Sequence, residues 1–296
     1  MSIENRLLNI KGIIDPHLHL FDLELGYYQW LKSSQAPFWP DKSKIARNFS
    51  EQDLQLAADM PLVGFVHIEA GFDNQQPWRE IDWLETHCQL PFKSVACADL
   101  CSAQFPDVIQ QLKQRSSVVG IRHILDEDAS KILNHPLTRH HFANLADLNW
   151  RFDAQLSLVD TAGVDALLQL FKQFPNVAVL INHGGWPPQR KQNAERQIWA
   201  ENLQKLAEHN NVAIKMSGWE MIERTWNVSD ISGCINTCLR VFGAERVMLA
   251  SNFPLCTFSH SYTQLWQNYQ REFGLTDSLW QQLSATNAAH WYNVTP

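Results

Sequence analysis

IIDPHLHLFD, residues 13–22, is an apolar run carrying a proline and two histidines two positions apart. Successive side chains of a strand point to opposite faces, so His17 and His19 share one. Pro16 cannot donate to a ladder, which predicts a bulge that re-aims its neighbours. With 12 His in 296 residues, chance alone supplies about half of one H-x-H. The pair gains meaning only from where the rest of the chain puts it.

The rest of the chain alternates. Short β-branched runs recur at 61–70, 92–100, 118–125, 151–159, 176–184, 211–218 and 246–252. Between most of them lie stretches such as WREIDWLETHCQ, GVDALLQLFKQF and ERQIWAENLQKLAEH, with apolar residues at three- and four-residue spacing. Ser50 and Thr161 read as helix N-caps, and Gly120, Asn210-Asn211 and Gly243 as stops. Eight strand–helix units predict a (β/α)₈ TIM barrel, a single domain over residues 1–296, with a doubly wound open sheet as the alternative. Residues 21–49 break the alternation with an aromatic-rich loop after the first strand, where barrels keep loops that cover a site.

Composition excludes several classes of function. Hydrophobic residues make up 45% and charged residues 19%, enough for a large core. The net charge of −7 leaves no cationic excess for nucleic acid. No apolar stretch approaches membrane-spanning length, and MSIENRLLNIKG carries no signal-peptide pattern, so a cytoplasmic protein is expected. The six cysteines form no C-x-x-C and read as small buried hydrophobes.

In a parallel barrel the C-terminal strand ends hold the chemistry. His17 and His19 fall there, with Glu69, Asp99, Arg122, Asp160, His183, Ser217 and Asn252 ending other strands. Neutral imidazoles at i and i+2 can share a divalent ion, and His183 is a further ligand or an acid. Arg122 is a forked donor suited to substrate oxygens. Trp30, Trp39, Trp186 and Trp219 follow strands and read either as lid packing or as an aromatic wall for a ring-shaped substrate. Lys215 points the same way as Ser217 but deeper, where pairing with a rim carboxylate is expected.

The motifs together resemble the amidohydrolase-related TIM-barrel family, in the branch of sugar lactonases and pyrone-dicarboxylate lactonase. IIDPHLHLFD is similar to its D-x-H-x-H strand, VHIEAGFD to its second strand, and VVGIRHIL to its V-R-G-V-R strand. VLINHGGWP resembles its D-H-G-G-K-P segment, and NVAIKMSGW and ERVMLASNFPL its last two strands. The resemblance implies that His17, His19 and His183 belong to the site, as ligands if a metal, zinc first by donor type, is bound. Whether one is bound stays open. It also implies that Arg122 contacts substrate; Glu69, Trp30, Trp186 and Ser217 are expected around it from their own places at the strand ends and in the rim loops. Asn252 stands where the family has the aspartate that serves as base for water, and Trp186 where it has a lysine. An amide cannot take up a proton at neutral pH.

Three readings follow. The first is a hydrolase opening a lactone of a small carboxylated or polyhydroxylated compound. The second is a related metal-dependent decarboxylase, and the third a degenerate barrel that binds a small molecule without turning it over. Oligomeric state cannot be read from the chain. If hydrolysis survives Asn252, a site histidine, Glu69 or Asp160 must replace the base.

Overall fold

The structure, a computed structural model, describes residues 10–296, so most of the N-terminal stretch read above lies outside the described residues. Each β-branched run forms a strand: β1 (Ile13–Leu18), β2 (Leu62–Ile68), β3 (Phe92–Cys97), β4 (Val118–Ile124), β5 (Arg151–Gln155), β6 (Val179–Ile181), β7 (Val212–Met216) and β8 (Val247–Leu249). All pair in parallel in sequence order, from β1 to β8. The sheet curls until its first and last members meet. Leu18 bridges Phe253, His19 N–H donates to the Phe253 carbonyl at 2.7 Å, and Asn252 N–H donates to the His17 carbonyl at 2.9 Å. The fold is a (β/α)₈ barrel.

The register of β1 against β2 slips between Asp15 and Leu18, around Pro16. The missing donor of proline makes this break inexpensive, and it lets His17 sit wholly buried in the barrel.

Helices α1 (Trp78–His87), α2 (Phe105–Leu112), α3 (Ala129–Leu133), α4 (Pro136–Leu148), α5 (Thr161–Gln173), α6 (Asn193–Ala207), α7 (Trp219–Ile222), α8 (Val228–Phe242) and α9 (Tyr262–Glu272) form the connections and the outer layer. The first unit differs from the expected alternation. Between β1 and β2 the chain makes only short 3₁₀ turns, the last of them capped by Ser50 as expected. A train of edge-on aromatic contacts fills the place of a helix: Phe21 with Phe49 and with Trp30, Trp30 with Trp39, and Trp39 with Phe258. Thr161 is not a cap. Asp160 caps α5 by accepting from Gly163 N–H at 3.0 Å.

Two apolar clusters separate the layers. Ile14, Val66, Ile68, Val95, Val119, Leu180, Ala213 and Met248 pack with Ala285, Ala288, Ala289 and Tyr292 from the C-terminal segment, which contains α10 (Asp277–Gln281) and α11 (Asn287–Tyr292). The larger cluster joins strands to helices. Inside the barrel one ion pair replaces apolar packing. Lys215 Nζ bonds the Asp153 carboxylate, which also accepts from the Tyr292 hydroxyl at 2.9 and 3.1 Å. Lys215 and Asp153 are wholly buried. The partner of Lys215 is therefore a carboxylate of the barrel interior, not one of the rim. Burial pulls the lysine down to about 8 against the opposing pull of Asp153.

Removing one member of such a pair strands a charge in a dry interior. Lys215→Met should cost about 3–5 kcal/mol in urea unfolding. Lys215→Met with Asp153→Asn should recover most of that loss, because the amide introduced by the second substitution can still accept from Tyr292. A double variant as unstable as the single would show that the stranded charge is not the cause.

Candidate active site

Asp15 organises the rim. Its Oδ1 accepts from the N–H groups of His17 and Ser251, both at 3.1 Å, and its Oδ2 from the Tyr262 hydroxyl at 3.1 Å. Burial pushes this carboxyl up to about 6 against those hydrogen bonds. The bond to Ser251 ties the first strand to the chain leaving the last, directly below His17, His19 and Asn252.

The structure brings His17, His19 and His183 together. The ring of His17 lies 4.6 Å from that of His183 and 5.2 Å from that of His19, centre to centre. His183 arrives by an unexpected route. β6 ends at Ile181, and His183, Gly184, Gly185 and Trp186 all take positive φ. That left-handed run, which glycine tolerates without strain, folds His183 back over the barrel mouth. Its Nδ1 meets Ser217 Oγ at 3.0 Å, and Trp186 lies 4.5 Å away, tilted by 30°.

The three rings are neutral. Burial pushes each well below the ordinary histidine range, and Lys215, Arg122 and the neighbouring rings push in the same direction. His19 Nδ1 lies 2.7 Å from the Ile68 carbonyl, which can only accept. Its proton is therefore on Nδ1, and Nε2 keeps a lone pair. Both ring nitrogens of His17 are buried without a partner among the described residues.

Arg122 is held before any substrate arrives. Its Nε donates to Glu69 Oε1 and its Nη2 to the Glu69 carbonyl, both at 2.8 Å, and its Nη1 donates to Gln155 Oε1 at 3.1 Å. Nη2 also faces Glu69 Oε1 at 2.8 Å, so the spare donor is on Nη1. Glu69, committed to this pair, is not a free base. Asp160 is a helix cap, and Asp99 is an exposed turn former accepting from Cys101 N–H at 2.7 Å.

The tryptophans divide. Trp186 stands in the mouth. Trp30 is half-buried in the lid, donating to the Ala70 carbonyl at 2.7 Å. Trp219 is no rim wall: it is buried and donates to the Tyr269 hydroxyl at 2.7 Å. Beside Trp186 a cavity of about 660 Å³ opens between Asp126, Glu127, Ser130, Ser157, Val159, Asp160 and Met221.

The donors suit a divalent ion poorly. Among the described residues no three His, Cys, Asp or Glu side chains are grouped to hold one. The set lacks an anion, because Asn252 is neutral and Glu69 is spent on Arg122. Two cations add their repulsion. These residues do not fit a tightly held zinc ion.

One residue that sequence reasoning misses completes the site. Glu220, buried on α7, accepts from Asn252 Nδ2 at 2.5 Å. Its place in SGWE, just past a strand end, is the only signal.

A barrel with imidazoles, a guanidinium and an amide at its C-terminal rim is the architecture of a small-molecule enzyme. The amidohydrolase family model matches residues 14–294, and the chain belongs to that family. It is 31% identical over 298 residues to the uncharacterized protein y4mH of Sinorhizobium fredii, covering 96% of this chain and 99% of that one. It is 24% identical over 246 residues to the L-fucono-1,5-lactonase of Burkholderia ambifaria, covering 82% and 80%. An amidohydrolase of Burkholderia multivorans solved with bound zinc superposes with a TM-score of 0.80 at 19% identity, covering 96% of this chain and 100% of that one. A Pseudomonas putida protein provisionally named a 2-pyrone-4,6-dicarboxylic acid hydrolase superposes at 0.68 and 17%, covering 97% and 100%. The two superpositions show the fold.

Gly218 supports His183 from behind, with φ of +72°, and a Cβ there would lie 2.7 Å from His183 Nδ1. Gly218→Ala should therefore displace the ring and destabilise the fold by about 1–3 kcal/mol. Thermal unfolding and the His183 imidazole NMR signals check both effects.

Proposed function

We propose that this protein is a hydrolase that opens the lactone ring of a small polyhydroxylated compound, without a tightly bound metal. The observation that carries the reading is the convergence of three neutral imidazoles beside a pre-positioned Arg122. The lactonase activity of the Burkholderia ambifaria relative supports the reaction class. The acidic cavity beside Trp186 supports the substrate class: Asp126, Glu127 and Asp160 accept hydrogen bonds from hydroxyls and repel a second carboxylate.

The chemistry follows from the tautomers. Arg122, through the N–H left on Nη1, holds a substrate oxygen. His17, with one donor and one acceptor nitrogen open, hydrogen-bonds the lactone carbonyl and polarises it. His19 Nε2 takes a proton from water as the water attacks that carbonyl, and the ring C–O bond then breaks as the same proton passes from His19 to the leaving alkoxide, giving a hydroxy acid and a neutral ring again. Water attack needs a lone pair on His19 at working pH, and its depressed basicity guarantees one. The same depression makes the base weak, so turnover is modest.

Proton release from a panel of sugar lactones, with a pyrone dicarboxylate for comparison, tests this. Opening of a neutral sugar lactone supports the reading. Preference for the dicarboxylate overturns the substrate class, and no hydrolysis of any member overturns the activity. Arg122→Lys should raise KM by about tenfold or more, because a point charge does not reproduce the fork; an unchanged KM would remove the arginine from the substrate site.

Asn252 gives a second prediction. An aspartate there would face Glu220 across 2.5 Å, and two carboxylates so close cannot both ionise. Asn252→Asp alone should therefore gain little. Asn252→Asp combined with Glu220→Gln adds the missing negative charge and should raise both zinc affinity and hydrolysis, the latter by about a hundredfold if a general base is restored. Metal titration and lactone assays on the double variant check it.

A further inference from the structure

Glu220 meets the site at one atom. It lies on α7, 1% exposed, and its Oε1 accepts from Nδ2 of Asn252, itself 2% exposed. An ionised carboxylate offers lone pairs only, whereas a primary amide has two unlike ends. A carboxylate can therefore meet Asn252 only at its NH₂ end, which turns Oδ1 to the opposite side. On that side stands His19, brought beside Asn252 by the backbone hydrogen bonds of Asn252 N–H to the His17 carbonyl and of His19 N–H to the Phe253 carbonyl. The Asn252 side chain favours the protonated His19 ring against the larger effect of burial.

We propose that Glu220 is a positioning residue that fixes the Asn252 amide with its oxygen toward His19, so that an asparagine does part of the work of the family aspartate. The inference rests on the lactonase reading for its catalytic consequence. In one orientation Oδ1 receives the N–H that His19 gains when it takes a proton from water. In the other, the amide NH₂ would donate to the His19 lone pair and block it as a base. The Asn252 N–H donates to the His17 carbonyl at 2.9 Å, which holds its backbone beside the histidines and leaves the amide orientation to its side-chain hydrogen-bond partners.

The arrangement carries a pH dependence. Burial pushes the Glu220 carboxyl up to about 7, while the Asn252 hydrogen bond and Arg224 pull it down. The other groups facing it are Cys256 and Tyr269, both neutral near pH 7 because burial pushes them well up. Arg224 is shared with Asp41. Once protonated, Glu220 can donate to the amide oxygen, and the bias is lost. Between the ordinary 4.5 and about 7 the folded chain holds this proton and the unfolded chain does not. The contribution of this group to stability therefore falls as pH rises through that window.

The experiment is ¹⁵N-asparagine labelling of the full chain, with the Asn252 side-chain NH₂ signals identified by their loss in Asn252→Asp. The proposal expects one strongly downfield NH₂ proton above neutrality that moves upfield as pH falls through about 7. Glu220→Gln should abolish both the shift and its titration, lower kcat by about tenfold with KM little changed, and remove the acid limb of the kcat profile near neutrality. NH₂ signals insensitive to pH between about 5.5 and 8.5, or unchanged in Glu220→Gln, overturn it. If Glu220→Gln does not fold, titration of the natural protein still decides. If no lactone is opened while the amide titrates as expected, the lactonase reading fails and the positioning role stands.

Discussion

The carboxylate of Asp15 joins the two ends of the sheet. It accepts from the backbone of His17 on one side and of Ser251 on the other, and Tyr262 on α9 anchors it from behind. A parallel sheet of eight strands closes only if its last strand finds its first, and here the seam runs beneath the reacting groups. The backbone hydrogen bonds between Asn252 and His17 and between His19 and Phe253 continue that seam outward. The spacing of His17, His19 and the Asn252 amide is thus a property of barrel closure, and His183 is added to it by the turn after β6.

Charge then decides what the site can do. Arg122 and Lys215 stand near three buried imidazoles, each cation paired with its own carboxylate, Glu69 and Asp153. The histidines stay unprotonated because burial penalises the charged ring, and the neighbouring cations add to that cost. That arrangement preserves lone pairs and carries no anion to spare for a metal. Asn252 fits the same logic: an amide adds no charge next to Glu220, a buried carboxyl already pushed toward neutrality.

Much of this is legible in the chain. The strands show because aliphatic and β-branched runs recur at regular intervals, and the H-x-H pair shows because alternation along β1 puts both rings on one face. Other features depend on side-chain directions that no pattern carries. His183 reads as a strand end, yet it reaches the site through a left-handed turn permitted by Gly184 and Gly185. Asp160 fits equally well as a rim acid and as a helix cap, and the Gly163 N–H decides for the cap. Trp219 reads as a rim aromatic, but α7 turns it inward onto Tyr269. Glu220, on the same short helix, is turned toward Asn252, and a four-residue helix offers too little periodicity to reveal it.

The most direct test of the account is a crystal structure with the hydroxy acid of a sugar lactone bound. The account predicts the product carboxylate in hydrogen-bond reach of Arg122 and of a ring nitrogen of His17, with its hydroxyls toward Asp126 and Asp160. A product seated instead in the separate cavity of about 360 Å³ between Pro187, Lys191 and Trp226, with the imidazole cluster empty, would contradict it.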